Sequence, residues 1–206
     1  MCKRFCIAIL SLSLIVGLFH HADAEWTLPA SIAEFEHNVS TPHAIAVGES
    51  LHVVAGISYD PYIYYVRSSN NGLTWAEPIA PVIPYGGTGR ENLLYTNGLL
   101  HLVWVGEGQN DPETHFFHAT SSDGGRTWSD IQEPPFPYGL VTDPGLAADG
   151  DILIFIGRGW DMLFWGRSYN NGQTWHWGGY LEYGSGNVGF DYPPCINIFF
   201  SGGGFT

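Results

Sequence analysis

What most limits the fold of this chain is a turn sequence written three times. Ser68-Ser69-Asn70-Asn71-Gly72-Leu73-Thr74-Trp75, Ser121-Ser122-Asp123-Gly124-Gly125-Arg126-Thr127-Trp128 and Ser168-Tyr169-Asn170-Asn171-Gly172-Gln173-Thr174-Trp175 share the frame Ser-x-Asp/Asn-x-Gly-x-Thr-Trp, at intervals of 53 and 47 residues. Repetition at that scale marks a repeat architecture built from one supersecondary unit. Polar residues and glycine in a short run read as a turn between strands, and the Thr-Trp pair as the opening of the next strand.

The sequence between the turns repeats as well. His43–Val47, Glu91–Tyr95 and Pro144–Ala148 each precede a turn (Gly48-Glu49-Ser50, Thr96-Asn97-Gly98, Asp149-Gly150-Asp151), and Leu51–Ile57, Leu99–Val105 and Ile152–Ile156 follow. Third strands are expected at Tyr62–Arg67, His115–Thr120 and Met162–Arg167, each leading into the repeated turn and a fourth strand. A four-stranded unit recurring near every 50 residues is a propeller blade. Cys195–Phe200 and the turn Ser201-Gly202-Gly203-Gly204 read as the start of a fourth unit. The expected fold is therefore all-β, a β-propeller of four-stranded antiparallel blades, incomplete in this chain at about three blades plus one strand. A further short strand is expected at Ser31–Glu36.

Residues 1–24 read as a removed signal peptide, and residues 25–206 as the propeller. Lys3 and Arg4 precede the uncharged apolar run Ile7 to Phe19, and Ala22-Asp23-Ala24 supplies a small-x-small cleavage site. No membrane span is expected after its removal, because the apolar run falls short of the about 20 residues a spanning helix needs. The localisation implied is secreted and extracellular, or periplasmic in a bacterium. Cys195 is then the lone cysteine, which excludes an internal disulfide. The formal charge of −13 becomes −14 once Lys3, Arg4 and Asp23 are gone. Such a surface repels phosphate backbones, so nucleic acid is not an expected partner. Asn38-Val39-Ser40 is an N-glycosylation sequon, with meaning in a eukaryotic source.

The chemistry of the turn itself is structural. An Asp or Asn side chain accepts backbone N–H bonds within its own turn, glycine takes a positive φ, and the Trp can pack beneath. Asn70 and Asn170 stand where the middle turn has Asp123, and an amide oxygen still accepts. Asn70, Gly72, Trp75, Asp123, Gly125, Trp128, Asn170, Gly172 and Trp175 are thus structural residues. These turns resemble the Asp-box, or bacterial-neuraminidase (BNR) repeat, of the sialidase superfamily, over roughly residues 40–200. The same box occurs in sialidases, other glycan hydrolases, sortilin-type receptors, photosystem assembly factors and non-catalytic propellers, so the resemblance implies fold rather than activity.

Strand alternation locates a candidate site. In a four-stranded meander the first-to-second and third-to-fourth turns share one face, and the boxes belong to it. The opposite face carries the second-to-third loops and the blade crossings, where function concentrates. It presents Tyr59, Asp60, Arg90, Glu107, Asp111, Asp143, Arg158, Trp160, Asp161, Asp191 and Tyr192. Carboxylates, aromatics and arginines in this mixture suit a glycan, with Arg90, Glu107, Asp143, Arg158, Trp160, Asp191 and Tyr192 as the candidate ligand-binding residues. The resemblance further implies, for an active sialidase, three arginines holding a carboxylate, a tyrosine nucleophile with a glutamate, and an aspartate acid/base. The Phe/Tyr-Arg-Ile-Pro motif common in that family is absent from this sequence. Arg67, Arg126 and Arg167 lie beside or inside boxes, which leaves Arg90 and Arg158 and no complete triad.

His52 and His101 follow a leucine at matching places in their units and read as repeat consensus. His115 and His118, three apart on a strand, point to opposite faces. No histidine pair has metal-ligand spacing, so no cofactor is expected; calcium at Glu107 and Asp111 is the alternative, without an EF-hand pattern. The leading expectation is a secreted glycan-recognising module, inactive as it stands. The alternatives are the N-terminal part of an exo-α-sialidase-like glycoside hydrolase and a protein-interaction scaffold whose acidic loops engage a partner.

Overall fold

The computed structural model describes residues 31–40, 42–57, 62–82, 90–108, 111–136, 142–158 and 163–181. They contain eleven strands and no helix. β1 (His43–Val47), β2 (Ser50–Gly56), β3 (Ile63–Ser68) and β4 (Ile79–Val82) form one antiparallel meander. β5 (Asn92–Thr96), β6 (Leu99–Gly108) and β7 (Asp111–Ser121) form the second, and β8 (Thr142–Asp149), β9 (Ile152–Arg158), β10 (Leu163–Ser168) and β11 (His176–Leu181) the third. Each sheet keeps its strands in sequence order, the connectivity of a propeller blade. Among the described residues there are three blades, fewer than the four to eight of a closed propeller. The leader expected over 1–24 and the fourth unit expected at 195–204 lie outside the described residues.

The first hairpin of each blade follows from its turn residues. Val47 pairs with Ser50, Thr96 with Leu99 and Asp149 with Ile152, so each turn has two residues. Asn97 and Gly98 both have positive φ, 47° and 80°, as a type I′ turn requires. In the other two turns a glycine takes the first position with φ near 60° (Gly48 at 60°, Gly150 at 58°), the type II′ pattern.

Two apolar clusters hold the blades together, one per seam. Val54, Ile63 and Tyr65 of blade 1 pack on Leu100, Leu102, Trp104, Phe117 and Ala119 of blade 2. Val103, Val105 and Phe116 of blade 2 pack on Leu153, Phe155, Phe164 and Trp175 of blade 3, with Phe136 from the segment after β7. Period-2 alternation sends successive residues of β6 and β7 to opposite seams, which is why both strands read as continuous apolar runs. Each large side chain buried this way contributes about 1.5–3 kcal/mol. His118 and His115 do face opposite ways: His118 lies against Trp175 of blade 3, whereas His115 stacks on Phe117, which faces blade 1.

Three expectations are corrected. Residues 31–38 form no strand; Val39 alone bridges to Ile57, and the Ser40 backbone N–H bonds to the Gly56 carbonyl. Alternation suits Ser31–Glu36 to a sheet, but a strand also needs a ladder partner, and the pairing of this segment is limited to the Val39 bridge. The fourth strand does not open on Thr-Trp: β4 starts four residues after Trp75, and β11 starts just after Trp175. In the second blade that strand shrinks to one bridge, Gln132 to His118, within a segment rich in proline, which has no N–H to give a ladder.

Candidate functional site

The repeated turns all form one hydrogen-bonded structure. The Ser68 hydroxyl donates to Asn70 Oδ1 (2.9 Å) and accepts from the Gly72 N–H (2.9 Å), while Asn70 Oδ1 accepts from the Thr74 N–H (2.9 Å). Ser168, Asn170, Gly172 and Thr174 repeat each bond at the same distances. In the middle turn Asp123 Oδ1 accepts from Ser121 Oγ and from the Arg126 and Thr127 N–H groups, each at 2.9 Å. The last bond reverses with the residue type. Asn70 and Asn170 donate from Nδ2 to the threonine oxygen (2.9 Å), whereas the Thr127 hydroxyl donates to Asp123 Oδ2 (2.7 Å). The Thr127 N–H and hydroxyl are the largest of the bonds that hold the Asp123 carboxyl well below the usual carboxylate range. With the Ser, Asp or Asn, and Thr side chains engaged inside the loop, the repeated residues of these turns are spent on shape.

They also act across blades. The Asn71 and Asn171 N–H groups bond to the Glu49 and Asp151 carbonyls, which places each turn beside its own blade's first hairpin on one shared face. Gly125 rests on the Tyr65 ring of the preceding blade and Gly172 on His118, and no side chain fits at either position. Tyr65 Oη donates to the Gly124 carbonyl (3.1 Å) and lies 2.6 Å from His52 Nδ1; with the hydroxyl proton so placed, the imidazole N–H is the donor. His118 Nε2 lies 3.0 Å from His101 Nδ1, and the two rings stack at 4°. His52 and His101 are therefore repeat equivalents, as the sequence indicates, and each braces the residue that supports the next blade.

The opposite face lies about 20 Å away along the strands. Arg90 and Glu91 lead into β5, Arg158 ends β9, and Glu107 sits near the end of β6, exposed to solvent. Thr142 pairs with Arg158, and the Asn92 amide donates to the Pro144 carbonyl (3.4 Å), so the entries to β5 and β8 and the end of β9 adjoin. Arg90 takes φ +94°, a conformation that costs a non-glycine residue of order 1–3 kcal/mol and that concentrates at functional sites. Asp143 lies within β8 on this end, whereas Trp160, Asp191 and Tyr192 fall outside the described residues.

Two residues here escape the sequence reading. Glu91 is buried, 4% exposed, immediately before β5. His43, at the start of β1, accepts the Leu93 N–H through Nδ1 (3.2 Å), and burial lowers its pKa, which keeps it a neutral acceptor. The repeat holds the signal that could have found Glu91: with the blades aligned on their first turns, Arg90 and Asp143 share one position, and Glu91 follows at the next. Among the described residues no three His, Cys, Asp or Glu side chains converge as a metal site, and no helix is long and apolar enough to cross a membrane.

No protein-family model and no curated protein matches the chain. Solved structures do. The NanB sialidase from Streptococcus pneumoniae matches with a TM-score of 0.58 at 12% identity, over 71% of this chain and 45% of that one. The Hadza microbial sialidase Hz136 gives 0.52 at 18%, over 66% and 32%. The α-L-arabinofuranosidase arb93a from Fusarium graminearum gives 0.53 at 16%, over 67% and 47%. At such identities the likeness is one of fold, and the chain has a sialidase-like propeller fold. It spans from about a third to about half of the length of these structures.

Proposed function

We propose that this Asp-box propeller is a secreted glycan-recognising module, without hydrolytic activity as it stands, that binds through the face opposite the boxes. The observation that carries the reading is that Arg90 and Arg158 stand where the start of β5 and the end of β9 adjoin, with Arg90 held at positive φ. Guanidinium groups so placed bond sugar hydroxyls and acidic substituents directionally. The sialidase and arabinofuranosidase neighbours support the choice of a glycan as ligand. Secretion rests on the leader-like sequence of residues 1–24.

The absence of activity rests on the arginines. Arg67 and Arg126 belong to the box end, and Arg167 stacks over Trp165 and Tyr169 at 5.5 and 4.8 Å from the ring centroids. Two arginines on the binding face cannot compose a carboxylate triad. A second reading, the front part of a sialidase-like hydrolase, is supported by the short share of its structural neighbours that the chain covers.

A glycan array with the purified chain tests the proposal. Binding to a defined set of glycans is expected, with a loss of about tenfold or more in affinity on Arg90→Ala or Arg158→Ala. An empty array would sink the glycan reading. Turnover of a fluorogenic sialoside, abolished by Arg90→Ala, would replace it with the hydrolase.

A further inference from the structure

A cleft opens at the box end, on the seam between blades 1 and 2. Tyr65, Arg67, Ala76, Glu77, Ile79, Gly125 and Arg126 line a cleft of about 200 Å³ there. This is smaller than the roughly 300–1,000 Å³ of a drug-sized pocket, so its occupant is a single small unit. Beyond residue 24 the sequence has five arginines and no lysine against a strong excess of carboxylates. Two of those five arginines meet in this cleft.

Neither is consumed by the fold. Arg126 donates one bond from its guanidinium to the Asp123 backbone carbonyl (2.6 Å), which fixes the head and leaves its other N–H groups available. Among the described residues neither Arg67 nor Arg126 is engaged by a carboxylate. The Asp123 carboxylate is itself saturated by Ser121, Arg126 N–H and Thr127. Ile79, 39% exposed, and Ala76 supply an apolar wall, the buried Tyr65 forms the floor under Gly125, and Glu77 places one carboxylate at the rim.

We propose that this cleft binds a hydroxylated carboxylate of monosaccharide size, a hexuronic acid by chemical class. Arg67 and Arg126 hold its carboxylate, Ile79 and Ala76 meet its carbon face, and Glu77 accepts from a hydroxyl. Charge-assisted bonds from a guanidinium to a carboxylate are about twice as strong as neutral ones, so the acid group provides most of the affinity. Glu77 repels a bare anion and favours one that carries donors. The site is separate from the Arg90 and Arg158 face and does not depend on it.

Calorimetric titration of the full chain with D-glucuronate, D-glucose and acetate tests it. Glucuronate should bind with saturation, glucose should not, and acetate should bind at least about tenfold more weakly. Arg126→Ala, an exposed change, should weaken glucuronate about tenfold or more with an unchanged circular dichroism spectrum. Arg67→Lys, which keeps the charge and loses the planar fork, should weaken it by a smaller factor. Binding that survives Arg126→Ala but falls on Arg90→Ala would overturn the assignment and move the ligand to the other face. Acetate binding as tightly as glucuronate would overturn the role of Glu77, and equal binding of glucose would overturn that of the arginines.

Discussion

At the seam between blades 1 and 2 a tyrosine supports the neighbouring turn; at the seam between blades 2 and 3 a histidine does so from the same position, three residues before its own turn's serine. Tyr65 carries Gly125 and meets Trp128 edge-on at 5.5 Å. His118 carries Gly172 and meets Trp175 edge-on at 5.4 Å. The geometry is shared and the proton chemistry is not. Burial pushes the Tyr65 hydroxyl up to about 12, whereas burial, reinforced by the His101 charge, pushes His118 down to about 3. Burial takes His101 down to about 4, an effect the Asn171 side chain partly offsets. A repeat can thus conserve a shape while changing the conditions under which each joint holds.

The largest effect should come from filling the joints. Gly125 and Gly172 have φ +83° and +81° with a ring directly against them, while Gly98 has φ +80° and open space. Gly125→Ala and Gly172→Ala should each cost roughly 3 kcal/mol or more in urea denaturation, and Gly98→Ala about 1 kcal/mol, the backbone term alone. Equal losses at all three would show that the rings under Gly125 and Gly172 are incidental.

Next in size is a difference in pH response. His101 and His118 are neutral in the folded blades and titrate near 6.5 when unfolded. Their contribution is complete above pH 6.5 and is lost as pH falls through about 4, at about 1.4 kcal/mol per pH unit for each proton taken up by the unfolded chain alone. Tyr65, with its pKa raised from 10 to about 12, contributes below pH 10 and is lost between pH 10 and 12. Protection of the Gly172 amide, taken relative to intrinsic exchange at the same pH, should therefore fall on acidification, and that of Gly125 on alkalinisation. His52, lowered by burial and then by the Arg67 charge, adds a smaller acid limb to the first seam. His118→Phe should flatten the acid limb, and Tyr65→Phe should remove the alkaline one. Protection that changes in step at both glycines would break the comparison.

The smallest effect should be that of Asp123→Asn. It converts the middle turn to the chemistry of the outer two, with an amide donating to Thr127 as Asn70 does to Thr74. The urea midpoint at pH 7 should shift less than for Tyr65→Phe. The depressed Asp123 carboxyl gives stability above pH 4 that is lost on acidification, and the variant should lack that loss.

Much of the fold was legible because it is locally encoded. The hairpins at 48–49, 97–98 and 150–151 and the three long turns follow from glycine, Asn and Asp at fixed offsets, and they appear where those residues stand. Ser31–Glu36 misled because alternation reports a suitable surface without reporting whether the segment pairs with a neighbour. Of the candidate site, Arg90 and Arg158 could be assigned to a face by counting strands. Glu91 was reachable only through the alignment of the blades on their first turns, since nothing local distinguishes a buried carboxylate from a loop cap. The same limit hid Arg67 and Arg126: beside a box they looked spent on the turn, and only the packing of blade 1 on blade 2 makes them walls of one cleft.

The sequence alone determined the period, the strand order and the face on which each loop lies, because these depend on φ preferences and on alternation within about ten residues. The tertiary structure decided what stands beneath each turn. Tyr65 meets Gly125, and His118 meets Gly172, across gaps of 60 and 54 residues that no local preference spans. Burial at those meetings, a property of the packed blades rather than of either segment, sets whether a ring stays neutral and therefore at which pH its joint gives way.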